Sequence, residues 1–172
     1  MRPVITGKPC PSGHEMITKI ISGGQTGADR AALDFAIKHN IPHGGWIPKG
    51  RLAEDGRLSD SYQLQEMPTP HYSKRTERNV LDSDGTVIVS HGLLKGGSAL
   101  TREFAKCYGK PWLHLDLDEL TIDLAAKELL SWLTRNDIKI LNVAGPRGSE
   151  NPKIYTMTVD VLEKALSPDY AN

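Results

Sequence analysis

A chain of 172 residues has room for one domain with a substantial core and is short for two, and no segment repeats another. Its 21 Lys and Arg side chains balance its 21 Asp and Glu, which leaves no surplus positive charge to announce a nucleic-acid or anionic-membrane surface, so any anion has to be met by local groups. Cys10 and Cys107 stand in unrelated contexts, the histidines never take the short paired spacings of zinc sites, and no apolar run reaches membrane-span length; these features point to a soluble cytoplasmic protein without a protein-ligated metal.

The opening stretch, MRPVITGKPCPSGHE, is rich in Pro, Gly and polar residues and lacks the apolar centre of a signal peptide. It reads as a flexible N-terminal arm over residues 1–15, with one organised domain over 16–172 and with Met1 and Met16 both available as starts. From Met16 onward apolar runs alternate with helical patterns. ITKIIS precedes ADRAALDFAIKHN, GTVIVSH precedes SALTREFAKCYG, PWLHLDL precedes ELTIDLAAKELLSWLTR, and IKILNVA precedes PKIYTMTVDVLEKAL. Such alternation predicts an α/β domain with a mostly parallel sheet and helices on both faces. The middle is less regular: HGGWIP and YQLQEM read as short strands around the loop KGRLAEDGRLSDS, and YSKRTERNVLDSD reads as a mostly polar helix.

In open parallel sheets ligands sit at the carboxyl ends of the strands, where loops lead into helices. Three such loops are glycine-rich: SGGQTG (22–27), SHGLLKGGS (90–98) and AGPRGSENP (144–152). Each glycine alone can serve only to close a turn. Together, on one sheet edge, the loops make a pocket for phosphate or another oxyanion, because glycine lets backbone N–H groups approach and the following helix adds its positive end. The first loop lacks the Gly-Lys-Ser/Thr ending of a P-loop and the spacing of G-x-G-x-x-G.

Gly23, Gly24, Gln25, Thr26 and Gly27 would cradle the anion. Asp29 falls in the apolar arc of the next helix, either satisfied by N-terminal amides or accepting hydrogen bonds from a ligand. In the second loop Gly96 and Gly97 lead to Ser98, a candidate helix cap whose hydroxyl, with that of Thr101, could also reach an oxyanion; Glu103 borders the packing stripe of that helix. In the third, Gly145 precedes Arg147, whose planar fork suits phosphate although a surface ion pair would also explain it, and Ser149 precedes a helix expected to start at Pro152. Lys49 and Arg51 either line the pocket mouth or are ordinary loop charges, and Glu54 with Asp55 either hold a divalent ion or are solvated. Trp46 suits core or subunit contact better than a stacking platform.

IISGGQTGADRAALDFAIKHNIPHGGWIPKGRLAEDG, RTERNVLDSDGTVIV, GGSALT and LNVAGPRGSE, in that order, resemble the bacterial molybdenum carrier family, from about Met16 to the last helix. The resemblance implies a Rossmann-like fold, shared with the lysine-decarboxylase-like nucleotide phosphoribohydrolases and DprA-type proteins, and a homo-oligomer, expected as a dimer. Its name implies molybdenum cofactor as cargo, a phosphate-bearing pterin that suits glycine loops and Arg147. The phosphoribohydrolases suggest the alternative of a nucleotide ligand or nucleotide hydrolysis. Gly23, Gly24, Gly27 and Ala32 are similar to their first block, and Gly96, Gly97 and Glu103 match part of their second. By spacing to Asp84, Arg75 is the counterpart of their catalytic arginine, with Arg78 one turn away. Glu103 and Arg75 could then supply the carboxylate and cation of an N-glycosidase. Lys95, Ala99 and Leu100 replace the Pro, Gly and Thr that shape that turn, which ranks binding above hydrolysis. Single-strand nucleic-acid binding ranks third, since aromatics are 6% of the chain and the charge is balanced.

Overall fold

The run Gly85–Ser90 is buried at every position, as a strand must be when both faces of its sheet are covered. Around it the computed structural model, which describes residues 16–168, builds alternating strands and helices. In chain order they are β1 (Lys19–Ile21), α1 (Ala28–Lys38), β2 (His43–Gly44), β3 (Trp46–Ile47), β4 (Leu52–Ala53), β5 (Gly56–Arg57), β6 (Gln65–Glu66), α2 (Tyr72–Asp82), β7 (Gly85–Ser90), α3 (Gly96–Cys107), β8 (Trp112–Asp116), α4 (Ile122–Arg135), β9 (Ile140–Ala144) and α5 (Ile154–Leu166). The predicted arm over residues 1–15 lies outside the described residues.

The central sheet has five parallel strands in the order β2-β1-β9-β7-β8, with β3-β6 and β4-β5 as small separate pairs. This is the Rossmann-like α/β architecture expected from the sequence. Counted in chain order, the five strands lie second, first, fifth, third, fourth. A doubly wound sheet of order 3-2-1-4-5 takes this arrangement when its first strand and the loop and helix after it are moved to the end of the chain. The connections from β1 to β2 and from β8 to β9 run one way across the sheet, and those from β2 to β7 and from β7 to β8 run the other way. Right-handed crossovers therefore place α1 and α4 on one face, where both pack against α5, and α2 with α3 on the opposite face. The direction reverses between β9 and β7, which opens a crevice at their carboxyl ends.

Phe35, Leu129, Leu133, Ile154 and Leu162 belong to the main core, and Leu33, Ile47, Leu58 and Leu64 form a second cluster. Two helix starts differ from expectation. α3 begins at Gly96, so Ser98 is a buried residue of its first turn and not its cap; α5 begins at Ile154, beyond Pro152.

The segment between β3 and β6 owes its shape to Arg51, which is neither at a pocket mouth nor an ordinary loop charge. Its buried guanidinium donates to the carbonyls of Leu58 (3.3 Å), Leu64 (3.1 Å), Ser59 (2.9 Å) and Tyr62 (2.9 Å). Arg51→Met leaves those acceptors without their donor and should cost about 2–4 kcal/mol in urea unfolding, with little recovery in Arg51→Lys, whose ammonium cannot span the same fan.

Candidate functional site

Each glycine-rich loop leaves the carboxyl end of a strand, β1, β7 or β9, and all of them reach the crevice beside β9. Ser22 begins the first loop and folds it back on α1: its hydroxyl donates to the Asp29 carbonyl (2.9 Å) and accepts from the Gly24 N–H (3.4 Å). A side chain at Gly23 would collide with the guanidinium of Arg75, and one at Gly145 would run into the Val89 carbonyl. Close approach, not turn closure alone, requires glycine at both positions.

The resulting cleft encloses about 540 Å³ of atom-free space, its open mouth included. Gly23, Gln25 and Asp29 come from the first loop and α1, and Gly97, Ser98 and Thr101 from the start of α3. Asn142, Val143, Gly145, Arg147 and Glu150 come from β9 and the third loop, and Arg75, Thr76 and Asn79 from α2.

Arg75 is the central charge. It is 8% exposed; Nη1 donates to the Gly23 carbonyl at 2.5 Å and lies 3.6 Å from Asp29 Oδ2, while Nε has no partner among the described residues. Burial pushes the Arg75 pKa down, opposed by Asp29; burial likewise pushes the Asp29 carboxyl above its ordinary value, opposed chiefly by Arg75 and then by the Gln25 N–H, which donates to Oδ2 at 3.3 Å. Gln25 is buried as deeply. Its Oε1 accepts from the N–H groups of Thr26 (3.1 Å) and Glu54 (2.8 Å), and its Nε2 has no partner among the described residues. The unsatisfied buried atoms of cleft-lining residues are therefore both N–H donors, which calls for a guest that presents acceptors.

At the mouth the Tyr72 ring lies beneath two guanidinium groups, Arg75 at 5.4 Å and Arg147 at 5.7 Å. Arg147 also faces Glu150 at 3.5 Å. The Thr101 hydroxyl donates back to the Gly97 carbonyl at 2.8 Å. Asn79 is committed to the backbone of Trp46, accepting its N–H (2.8 Å) and donating to its carbonyl (3.2 Å).

Of the residues singled out in the sequence, Gly23, Gln25, Asp29, Arg75, Gly97, Ser98, Thr101, Gly145 and Arg147 line one cleft. Gly24 faces Leu58 and Leu64, Gly27 faces the Pro146 carbonyl, and Gly96 opens α3; none of these lines the cleft. Thr26 and Ser149 turn to Glu54: the Thr26 hydroxyl donates to its carboxylate, as do the Ser149 N–H (3.0 Å) and hydroxyl (2.5 Å). Asp55, next in the turn, goes instead to Arg30 at 3.0 Å, so the two carboxylates do not converge on an ion. Glu103 lies outside the cleft, half exposed, with its carboxyl held below the ordinary range first by Arg102 and then by Lys106. The structure thus does not bring Glu103 to Arg75. Arg78 stacks on Trp46 and pairs with Asp82.

Sequence reasoning passed over Tyr72, Thr76, Asn79, Asn142 and Glu150. The helical spacing of Tyr72, Arg75, Thr76 and Asn79 put them on one face of α2, and Asn142 interrupts an otherwise apolar strand, so both signals were present.

A model of the circularly permutated YpsA SLOG family matches residues 20–166. The crystal structure of a protein from Syntrophus aciditrophicus, named "putative molybdenum carrier protein", is 67% identical and superposes with a TM-score of 0.87, covering 88% of this chain and 96% of that one. No curated protein matches.

Arg75→Met strands the Asp29 carboxylate in the interior and should cost up to about 3–5 kcal/mol at neutral pH, most of it returned by adding Asp29→Asn. An acid whose pKa is raised by folding holds its proton more tightly in the folded state. Its contribution to stability therefore falls as pH rises from the unfolded value to the folded one, and levels off above. Without the opposing Arg75 charge that window extends to higher pH, so unfolding curves of Arg75→Met should show stability recovering on acidification over a wider range than in the parent.

Proposed function

The chain belongs to the circularly permutated YpsA SLOG family, and from that premise and the chemistry of the cleft we propose that it binds and carries a phosphorylated small molecule, with molybdenum cofactor as the favoured cargo. One observation carries the reading: Arg75 and Gln25, both buried, hold unpartnered N–H donors where the glycine-rich loops meet. A phosphate would satisfy both, and Arg147 at the mouth adds a charge-assisted contact. Gly97 and Ser98, in the first turn of α3, add the favourable field of a helix N-terminus.

The name of the Syntrophus relative points to molybdenum, and the residues present fit the cofactor in a particular way. Among the described residues no cysteine or histidine lines the cleft. The chain would therefore hold the phosphate and the polar edge of the pterin, leaving the metal to the cofactor's own dithiolene. A nucleotide offers the same phosphate and competes as ligand. Hydrolysis of a nucleotide ranks lower, because Glu103 stands outside the cleft and Asp29 is held against Arg75. A homodimer, expected by resemblance, and a cytoplasmic location, expected from the composition, complete the proposal, and light scattering tests the dimer.

Calorimetric titration with isolated molybdenum cofactor, a nucleoside monophosphate and molybdate should show the cofactor binding most tightly. Arg147→Ala, a change at a partly exposed side chain, should weaken it about tenfold or more. Equal affinity in that variant removes Arg147 from the site, and tighter binding of the nucleotide reassigns the cargo. Incubation with nucleoside monophosphates should release no free base; sustained release abolished by Glu103→Gln would reverse the ranking of carrier over hydrolase.

A further inference from the structure

The loop after β9 occupies the position that, in an unpermuted sheet of order 3-2-1-4-5, belongs to the first strand, where phosphate is held by loop amides. Its donors here are already taken. The Ser149 N–H and hydroxyl and the Thr26 hydroxyl all donate to the carboxylate of Glu54, while the Gly148 N–H donates to Thr26 Oγ1 at 3.0 Å. Glu54 forms no salt bridge among the described residues; two hydroxyls and one amide hold its negative charge, with a smaller contribution from the Arg147 charge, as they would hold a phosphoryl group.

Glu54 and Ser149 are exposed, but their contact adjoins a buried residue of the cleft. Gln25, 6% exposed and lining the cleft, receives the Glu54 N–H on its Oε1 and has its Nε2 left without a partner. Arg147 and Glu150, on either side of Ser149 in the chain, line the cleft as well. Gln25 thus connects the two places: it lines the cleft beside Arg75 and holds the backbone of Glu54, whose carboxylate takes the donors of Ser149.

Resting on the reading of the cleft as a phosphate site, we propose that Thr26, Gly148 and Ser149 form a second anion subsite, that Glu54 fills it in place of a ligand, and that the natural ligand is a diphosphate-bearing form of the pterin cofactor or of a nucleotide, whose second phosphoryl group displaces that carboxylate. Displacement needs only side-chain rotation. Glu54 sits in the turn of the β4-β5 hairpin, and that hairpin is anchored independently through Arg51 and through the Asp55 to Arg30 pair.

The test uses inorganic phosphate and inorganic diphosphate as probes, titrated into the parent, Glu54→Ala, Glu54→Gln and the double variant Glu54→Ala with Ser149→Ala. Glu54→Ala should bind diphosphate about tenfold or more tightly than the parent, with phosphate changed by much less, as the gain of charge-assisted hydrogen bonds requires. Glu54→Gln should show a gain in the same direction. Adding Ser149→Ala should take the gain back, which a mere loss of negative field would not do. Diphosphate affinity unchanged or weakened in both Glu54 variants overturns the inference, and so does a gain that survives Ser149→Ala. The underlying reading is judged separately. Phosphate binding in the parent that disappears in the paired Asp29→Asn, Arg75→Met variant upholds the cleft whatever Glu54 does, whereas phosphate that ignores that variant overturns the cleft and the subsite with it.

Discussion

Placing a guanidinium under cover is the constraint around which this molecule is arranged. A charge taken from water costs several kcal/mol unless its donors are met, and the neighbourhood of Arg75 is shaped to meet them incompletely. Gly23 has no side chain to occupy its space, the Gly23 carbonyl takes one N–H, and Asp29 reaches across from α1 without closing to hydrogen-bond distance. What is left over is one donor on Arg75 and another on Gln25. Arg30 Nε and Thr158 Oγ1 also lack partners among the described residues but lie away from the cleft; the two donors that line it mark where a guest belongs.

The sheet explains why that shortfall arises at this edge. The helices that follow β9 and β7, α5 and α3, lie on opposite faces of the sheet, so the loops that lead into them part at the carboxyl ends of these two neighbouring strands and leave a gap between them. α2 closes the remaining side and contributes Arg75 from a helix that lies outside any glycine-rich loop. The hairpin of β4 and β5 reaches over from the irregular middle segment and ties the first loop to the third through one carboxylate. Function in this chain therefore draws on parts with very different sequence signatures.

The layers were legible in the amino-acid sequence because their causes are local. Period and turn chemistry marked the strands and helices of the central sheet except β2, since HGGWIP read as one short strand and is divided at Gly45 between β2 and β3; the resemblance supplied the Rossmann-like class and pointed to Arg75. The facing of individual loop residues was not legible. Gln25 and Thr26 are adjacent and both polar, yet the first lines the cleft and the second bonds to Glu54, a residue 28 positions away. Ser149 is turned aside by the same carboxylate across 95 positions. Ser98 read as a cap because the start of α3 depends on the turn at Gly96, where φ is 50°. Arg51 read as a pocket-mouth residue or an ordinary loop charge because its four carbonyl partners belong to a loop with no periodic pattern.

The position of β9 also bears on how the chain comes together. β2 and β1 form one side of the sheet and β7 and β8 the other, and these halves share no strand pairing until β9 enters between them. The contact that joins β1 to β9 spans 121 residues, among the slowest kinds of closure for a chain to make. The keystone of the sheet is thus synthesised after every strand it joins. Mechanical unity of the domain and completion of its cleft arrive in the same late event, so a nascent chain has neither before it has both.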